Sequence, residues 1–250
     1  MTEPIILTVT PLPGLPSSSP RMVARDDVSA DLANVTGVSD FWMFLDQNSA
    51  FTNYGFANSD VPVAQLAAGI ESTGRSIVCV CPMYFLPHAD GLHLTAAGYA
   101  RLGAYHGRPI RQTLGGSKWL PLYPTSAVRT GAQVDITFHV PVGNLAIDTS
   151  VVSNPGNYGL RWIDNGDGNS VTISSVVVQN AAAGIVRVTL SGTPTGTGQK
   201  IGIADWGTAG APAGPTSGAR ACLRDSSGDT DYYGNAMPNY AAISRIDVTV

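Results

Sequence analysis

Charged side chains are scarce. Asp, Glu, Lys and Arg together make up 13% of the 250 residues, about half the usual share of a globular protein. A surface so thinly charged suits a chain that packs against others or binds neutral polymers. Basic charge is scarcer still, and the formal net charge of -4 lacks the concentrated cationic face that phosphate backbones require, which excludes nucleic acid as the expected partner. No apolar run approaches the ~20 residues of a membrane span, so membrane insertion is not expected. The N-terminus lacks the basic-then-apolar layout of a secretion signal, so the expectation is synthesis in the cytoplasm and retention there until assembly or lysis. Cysteine is limited to Cys79, Cys81 and Cys222. An odd count, with two alternating in an apolar run, reads as reduced, buried thiols and not as a disulfide framework. No second Cys or His pair stands at zinc spacing, so no metal is implied, and nothing in the composition calls for a cofactor.

What is present suffices for a sizeable core, since 44% of the residues are hydrophobic. Residues 1–22 combine a short β-like run, Ile5–Thr10, with a Pro/Ser-rich tail. They read as an arm that adds a strand to a neighbour or tethers one subunit to another. Between residues 23 and 112 strands and helices alternate. "FWMFLDQ" (Phe41–Gln47) and "SIVCVCP" (Ser76–Pro82) are continuous apolar runs, as strands buried on both faces would be. "VPVAQLAAGIES" (Val61–Ser72) has helical spacing, with Val63, Leu66, Ala67 and Ile70 on one side. A second helix is expected from Thr95 to Gly107, with Tyr99, Leu102 and His106 sharing a face. This alternation predicts a parallel α/β layer.

Residues 113–124, including "LGGSKWLPLYP", read as a linker with an aromatic anchor. Beyond it, residues 125–250 hold only short alternating runs, such as "VDITFHVPV", "SVTISSVVV" and "IVRVTL", separated by Gly, Asn, Asp and Pro. That pattern predicts an antiparallel β-sandwich. The turn "DNGDGN" (Asp164–Asn169) has oxygens suited to calcium but lacks the ligand ladder of an EF-hand, so it reads as a hairpin turn.

One loop carries candidate chemistry. In "PMYFLPHADGLHLTAAGYARLGAY" (Pro82–Tyr105), Asp90 and His93 stand three apart between a buried strand and a helix. A carboxylate held on one imidazole nitrogen fixes the tautomer and leaves the other nitrogen free to take a proton. The loop after a parallel strand lies at the carboxyl edge of the sheet, where α/β folds bind ligands.

The stretch "HADGLHLTAAGYARLGAY" resembles the last sequence block of the SGNH (GDSL-type) hydrolases, a family of carbohydrate acetylesterases and lipases. Asp90, Gly91, His93, Leu94, Gly98, Tyr99, Leu102 and Gly103 all match it. The resemblance implies a flavodoxin-like parallel α/β layer in which Asp90 orients His93 and His93 is the general base for a serine. Residues 23–112 correspond to the C-terminal half of such a domain. Together with the trailing β region, the chain further resembles SGNH-containing proteins of phages and prophages, fibre and tail proteins among them.

The sequence departs from the family in two places. It has no Gly-Asp-Ser for the nucleophile and no Gly-x-Asn-Asp for the oxyanion hole. "GFANSD" (Gly55–Asp60) and "DSSGD" (Asp225–Asp229) have similar letters, but neither follows an opening strand. Acyl transfer without these groups loses its covalent step and its main electrostatic term. Half a parallel sheet also leaves an unpaired edge, so a partner chain is expected to complete it. The leading expectation is a structural spike or fibre component on the surface of a phage-like particle, oligomeric and binding host surface polysaccharide. The competing one is a carbohydrate O-acetylesterase that uses Asp90 and His93 with a serine from another polypeptide.

Aromatic residues supply the candidate sugar contacts. Trp42 and Trp119 read as structural, whereas Trp162 and Trp206 sit at strand ends near loops. The loop "DTDYYGNAMPNY" (Asp229–Tyr240) offers Tyr232 and Tyr233 among Asp, Asn and Gly, a mixture suited to recognition. His139 reads as a strand residue, and Arg101, Arg108 and Arg111 as a solvated face or an inter-subunit contact.

Overall fold

The two doubly buried runs form neighbouring strands of one parallel sheet. The computed structural model describes residues 6–9, 31, 34–37, 42–72, 77–165 and 171–250. Within these, β1 (Ile6–Val9), β2 (Trp42–Gln47) and β3 (Ile77–Pro82) lie in the order β1-β2-β3, all parallel. Every residue of β3 is buried. The strand expected to reach a neighbouring chain therefore joins its own sheet, with Ile6 opposite Trp42 and Val9 opposite Leu45. Apart from Ile6–Val9, the expected arm lies outside the described residues.

Helix α1 (Val61–Glu71) packs on β2 and β3. Its buried face is Pro62, Gln65, Leu66 and Gly69, rotated from the expected one. Gln65 turns inward because its Oε1 accepts a hydrogen bond from the Asn48 N–H, at 3.2 Å. Gly69 lets the helix close on β3, since a Cβ there would stand 2.7 Å from that of Cys79. Helix α2 (Ala96–Leu114) runs seven residues past the expected stop at Gly107, through Pro109. Its second half is held by packing, with Tyr105, His106, Arg108, Pro109 and Thr113 all buried. That burial outweighs the hydrogen bond the proline removes.

The remaining strands are antiparallel. They are β4 (Tyr123–Thr130), β5 (Gln133–His139), β6 (Leu145–Ile147), β7 (Leu160–Ile163), β8 (Ile173–Asn180), β9 (Ile185–Leu190), β10 (Lys200–Ile203), β11 (Leu223–Asp225) and β12 (Ser244–Asp247). They form sheets in the orders β4-β5-β9-β8, β12-β10-β7 and β11-β6. Alternation does its expected work here: Val134, Ile136, Val186 and Val188 point inward from β5 and β9 and are wholly buried. The chain is thus an α/β layer joined to a larger, antiparallel β-rich part. Of the expected calcium-like turn, Gly166–Asn169 lie outside the described residues.

One continuous core joins the two parts. Phe44, Val78 and Tyr84 of the α/β layer belong to the same buried cluster as Ile136, Val188, Ile201 and Ile243. The stretch read as a linker runs through it, with Trp119 and Leu122 buried. The Trp119 indole N–H donates to the Val80 carbonyl at 3.2 Å and so covers the outer edge of β3 with the chain's own residues. Side chains of the layer also stitch the C-terminal segment before β12 to it. Gln47, wholly buried at the end of β2, donates to the carbonyls of Pro62 (2.7 Å) and Ile243 (2.8 Å) and accepts from the Ile243 N–H (2.8 Å). Tyr84 donates to the Ala241 carbonyl at 2.7 Å, and Tyr105 to the Pro238 carbonyl at 2.8 Å.

Gln47→Met keeps the volume of the side chain but leaves the buried N–H and carbonyl of Ile243 without their partner and removes one bond to the Pro62 carbonyl. At roughly 1–3 kcal/mol for each buried polar group left unpaired, with partial relaxation, a loss of about 3 kcal/mol is expected in urea unfolding. A change below about 0.5 kcal/mol, the level of an ordinary surface substitution, would show that Gln47 does not hold the two parts together.

Candidate functional site

The loop after β3 is a closed hairpin. Thr95 N–H donates to the Pro87 carbonyl at 3.0 Å and Ala89 N–H to the His93 carbonyl at 2.8 Å, with His88 and Leu94 bridged between them. Thr95 then caps α2, its hydroxyl accepting from Gly98 N–H at 3.0 Å. Two glycines make the hairpin possible. Gly91 adopts φ +78°, and a Cβ on it would strike Pro212; a Cβ on Gly98 would stand 2.5 Å from the Pro87 carbonyl oxygen. The β-rich part clasps the hairpin from outside through Ala213 N–H, which donates to the Gly91 carbonyl at 2.9 Å.

Inside this frame Asp90 and His93 meet. Asp90 Oδ2 lies 2.8 Å from His93 Nδ1, while Oδ1 accepts from the backbone N–H groups of Leu92 (2.9 Å) and His93 (2.7 Å). The His93 ring first, then those N–H groups, hold the Asp90 carboxyl well below the ordinary carboxylate range. A carboxylate so held only accepts, so Nδ1 carries the imidazole proton and Nε2 is left as the basic nitrogen. The His93 side chain is 64% exposed, and among the described residues no hydroxyl or thiol hydrogen-bonds to its ring. Neighbouring His88 is different in kind: burial lowers its pKa, and its Nδ1 sits 2.9 Å from the Leu86 carbonyl.

The serines in the two look-alike stretches are engaged in turns or in a loop–loop contact. Ser59 accepts from Val61 N–H, Ser226 from Asn144 N–H, and Ser227 from Asp229 N–H. Trp162 is half-buried in β7 and packs against the core, so its ring is not a free platform. Trp206 is 50% exposed and pairs across an isolated bridge with Asn58. Tyr232 and Tyr233 are 95% and 76% exposed. Arg108, expected on a solvated face or at a subunit contact, is instead buried. It donates to Asn239 Oδ1 and to the Met237 carbonyl, pairs with Asp229 at 2.9 Å and lies over the Trp119 ring. The expected site residues thus do not converge: Asp90 and His93 stand together, and the aromatic candidates occupy other loops.

A second acid–imidazole pair was not anticipated. Asp46 Oδ2 sits 2.9 Å from His106 Nε2, both residues buried, and the Cys81 thiol donates to Asp46 Oδ1 at 3.9 Å. The signals were a carboxylate ending an apolar strand and a histidine on the core face of a helix. The trio has the letters of a thiol hydrolase but the wrong electrostatics. Burial, and then the Asp46 charge, push the Cys81 thiol well above its ordinary pKa, so it stays protonated and inert. It joins β2, β3 and α2. Among the described residues no group of His, Cys, Asp and Glu is placed to hold a metal ion.

No family model and no curated protein matches the sequence. Among solved structures, the chain is similar to a carbohydrate acetylesterase from Xanthomonas citri, with TM-score 0.53 and 12% identity, over 89% of this chain and 45% of that one. The N-terminal part of the bacterial S-layer protein SbsC aligns at TM-score 0.29 and 14% identity, over 62% of this chain and 29% of that one. The chain spans less than half the length of each. The first likeness is one of fold; the second is too slight to carry any argument.

Because the dyad geometry rests on the hairpin, Gly98→Ala should displace it. A loss of about 1–3 kcal/mol is expected in thermal or urea unfolding, as for other overpacked sites. In ¹⁵N NMR of the neutral ring, His93 should show the Nδ1–H tautomer, and Asp90→Ala should shift the population toward Nε2–H. An unchanged tautomer in Asp90→Ala would mean that Asp90 does not orient the ring.

Proposed function

We propose that the chain carries the base-bearing half of a carbohydrate O-acetylesterase site. The observation behind this reading is the preformed Asp90–His93 pair, with Nδ1 engaged and Nε2 without a hydrogen-bond partner among the described residues. The fold likeness to a carbohydrate acetylesterase supports it. So does the outer edge of β1, which pairs with no strand among the described residues. A polypeptide segment carrying Gly-Asp-Ser and the oxyanion donors would dock along that edge.

In the assembled site His93 Nε2 takes the serine proton as Oγ attacks the acetyl carbonyl. Asp90 stabilises the resulting imidazolium. The tetrahedral intermediate collapses by breaking the bond to the sugar oxygen, which leaves with the proton from His93. Water, deprotonated in turn by His93, then cleaves the acetyl-serine and releases acetate. The Asp90 carboxyl stays ionised throughout the neutral range, because its partners hold its pKa far below it.

A second reading is favoured by the exposed Tyr232 and Tyr233: a particle-surface component, a spike or fibre, that grips host polysaccharide without hydrolysing it. Both readings share a polysaccharide ligand and differ in turnover. Acetate release from O-acetylated polysaccharide separates them, measured for the chain alone and with a Gly-Asp-Ser-bearing polypeptide encoded beside it. Release is expected only from the pair, with His93→Ala reducing it about 10²–10⁴-fold. Unchanged turnover in His93→Ala would remove this histidine from the reaction. No release from the pair, together with particles that adsorb poorly to encapsulated cells when the chain is deleted, would favour the second reading.

A further inference from the structure

A cleft of about 530 Å³ opens between the second half of α2 and the Gly228–Met237 loop. It lies well away from the dyad: Arg108 stands 12 residues after the start of α2 at Ala96, which is about 18 Å along the helix axis at ~1.5 Å per residue. We infer that this cleft is a binding site for an acidic saccharide, with Arg111 receiving the sugar carboxylate and Tyr232 stacking on the ring.

The wall opposite the helix is rigid. The Asp231 carboxylate accepts from the N–H groups of Tyr233 and Asn235, each at 2.9 Å, and from the Asn235 side chain at 2.9 and 3.1 Å. Gly234 turns the loop at φ +81°, with its N–H on the Asp231 carbonyl at 3.0 Å. Met237 N–H closes the loop's base on the Asp229 carbonyl at 2.8 Å. The loop backbone is thus held by its own hydrogen bonds and presents Tyr232, 95% exposed, so that binding has chiefly the tyrosine side chain to order.

The charges of the cleft are settled, with one exception. Arg108 is tied to Asp229, Asn239 and Met237. Asp231 is occupied by its own turn. Among the described residues the exposed Arg111 guanidinium has no ion pair and no hydrogen bond. The guanidinium lies over Gly107, which has no side chain; a Cβ there would be in ordinary van der Waals contact with Arg111 Nη1, at 3.6 Å. Glycine is less favourable than alanine inside a helix, and here Gly107 lines the floor of the cleft.

These groups select a ligand class. Asp229 and Asp231 would repel a doubly charged phosphate more strongly than a singly charged carboxylate, and their remaining lone pairs can accept hydrogen bonds from sugar hydroxyls. Tyr232 suits the apolar face of a pyranose. One free guanidinium fits one carboxylate, which it can hold with two parallel hydrogen bonds. A uronic acid residue within a polysaccharide has all three features.

Calorimetric titration of the full chain with a galacturonic acid trisaccharide, its methyl ester and maltotriose tests the assignment. The acid should bind more tightly than the ester and maltotriose, by about tenfold or more, as loss of a charge-assisted pair implies. Arg111→Gln should erase that preference. Gly107→Gln, which fills the floor while favouring the helix, should abolish binding without lowering the unfolding temperature. His93→Ala should bind the acid as the unmodified chain does, whether or not the dyad proves catalytic. Equal affinity for acid and ester, an unaffected Arg111→Gln, or no binding of the acid would overturn the proposal.

Discussion

The Gln47 carboxamide holds this molecule in one piece. It offers Ile243 both a donor and an acceptor, as a neighbouring strand would, and so extends the pairing of the parallel sheet into the C-terminal segment. The group is wholly buried, which makes each of these bonds costly to lose. Tyr84, Tyr105 and Trp119 add bonds of the same kind, from a side chain of one part to a backbone carbonyl of the other. Side chain to backbone is a natural way to join two layers whose strands run in different sheets. It satisfies edge groups without a shared ladder.

This joint also shapes the dyad. The hairpin bearing Asp90 and His93 belongs to the α/β layer, but its outer wall is the Trp206–Gly218 region of the β-rich part. Gly210 N–H donates to the Thr52 carbonyl at 2.7 Å, Gly207 N–H to Ala57 at 2.9 Å, and Ala213 N–H to Gly91 at 2.9 Å. A catalytic pair on a loop needs such support to stay in hydrogen-bonding geometry. Here the support does not come from the residues that would complete an esterase. It comes from the hairpin's own bonds and from the Ala213–Gly91 contact with the trailing β region, so the orientation of the dyad does not depend on a nucleophile being present.

Much of this was legible in the sequence. Continuous apolar runs gave β2 and β3, period-two alternation gave β5 and β9, and Thr95 marked the start of α2. Asp90 and His93 could be paired because they lie three residues apart, and local contacts are the kind a sequence displays. The rest depended on contacts between distant residues. Arg108 looks like a surface charge until Asp229, Asn239 and Met237 surround it, more than a hundred positions later. Asp46 and His106 lie 60 residues apart, and nothing in either neighbourhood announces the other. The same holds for the end of α2. Proline and glycine signalled a stop, and only the burial of Pro109 and Thr113 against the core explains why the helix continues.

The same distinction separates the two acid–imidazole pairs. Asp46–His106 is buried beside a thiol that cannot ionise, so its proton has nowhere useful to go. Asp90–His93 is open to solvent on a braced loop, with its carboxylate held ionised by the His93 ring and then by two backbone N–H groups. Hydrogen-bond length does not tell them apart, since the two pairs differ by 0.1 Å (2.9 against 2.8 Å). Access and the state of the neighbouring groups do. A general base must exchange protons with a substrate and with water, which a sealed core forbids and an exposed hairpin allows. That asymmetry assigns a structural role to the first pair and leaves the second as the place where acid–base chemistry can occur.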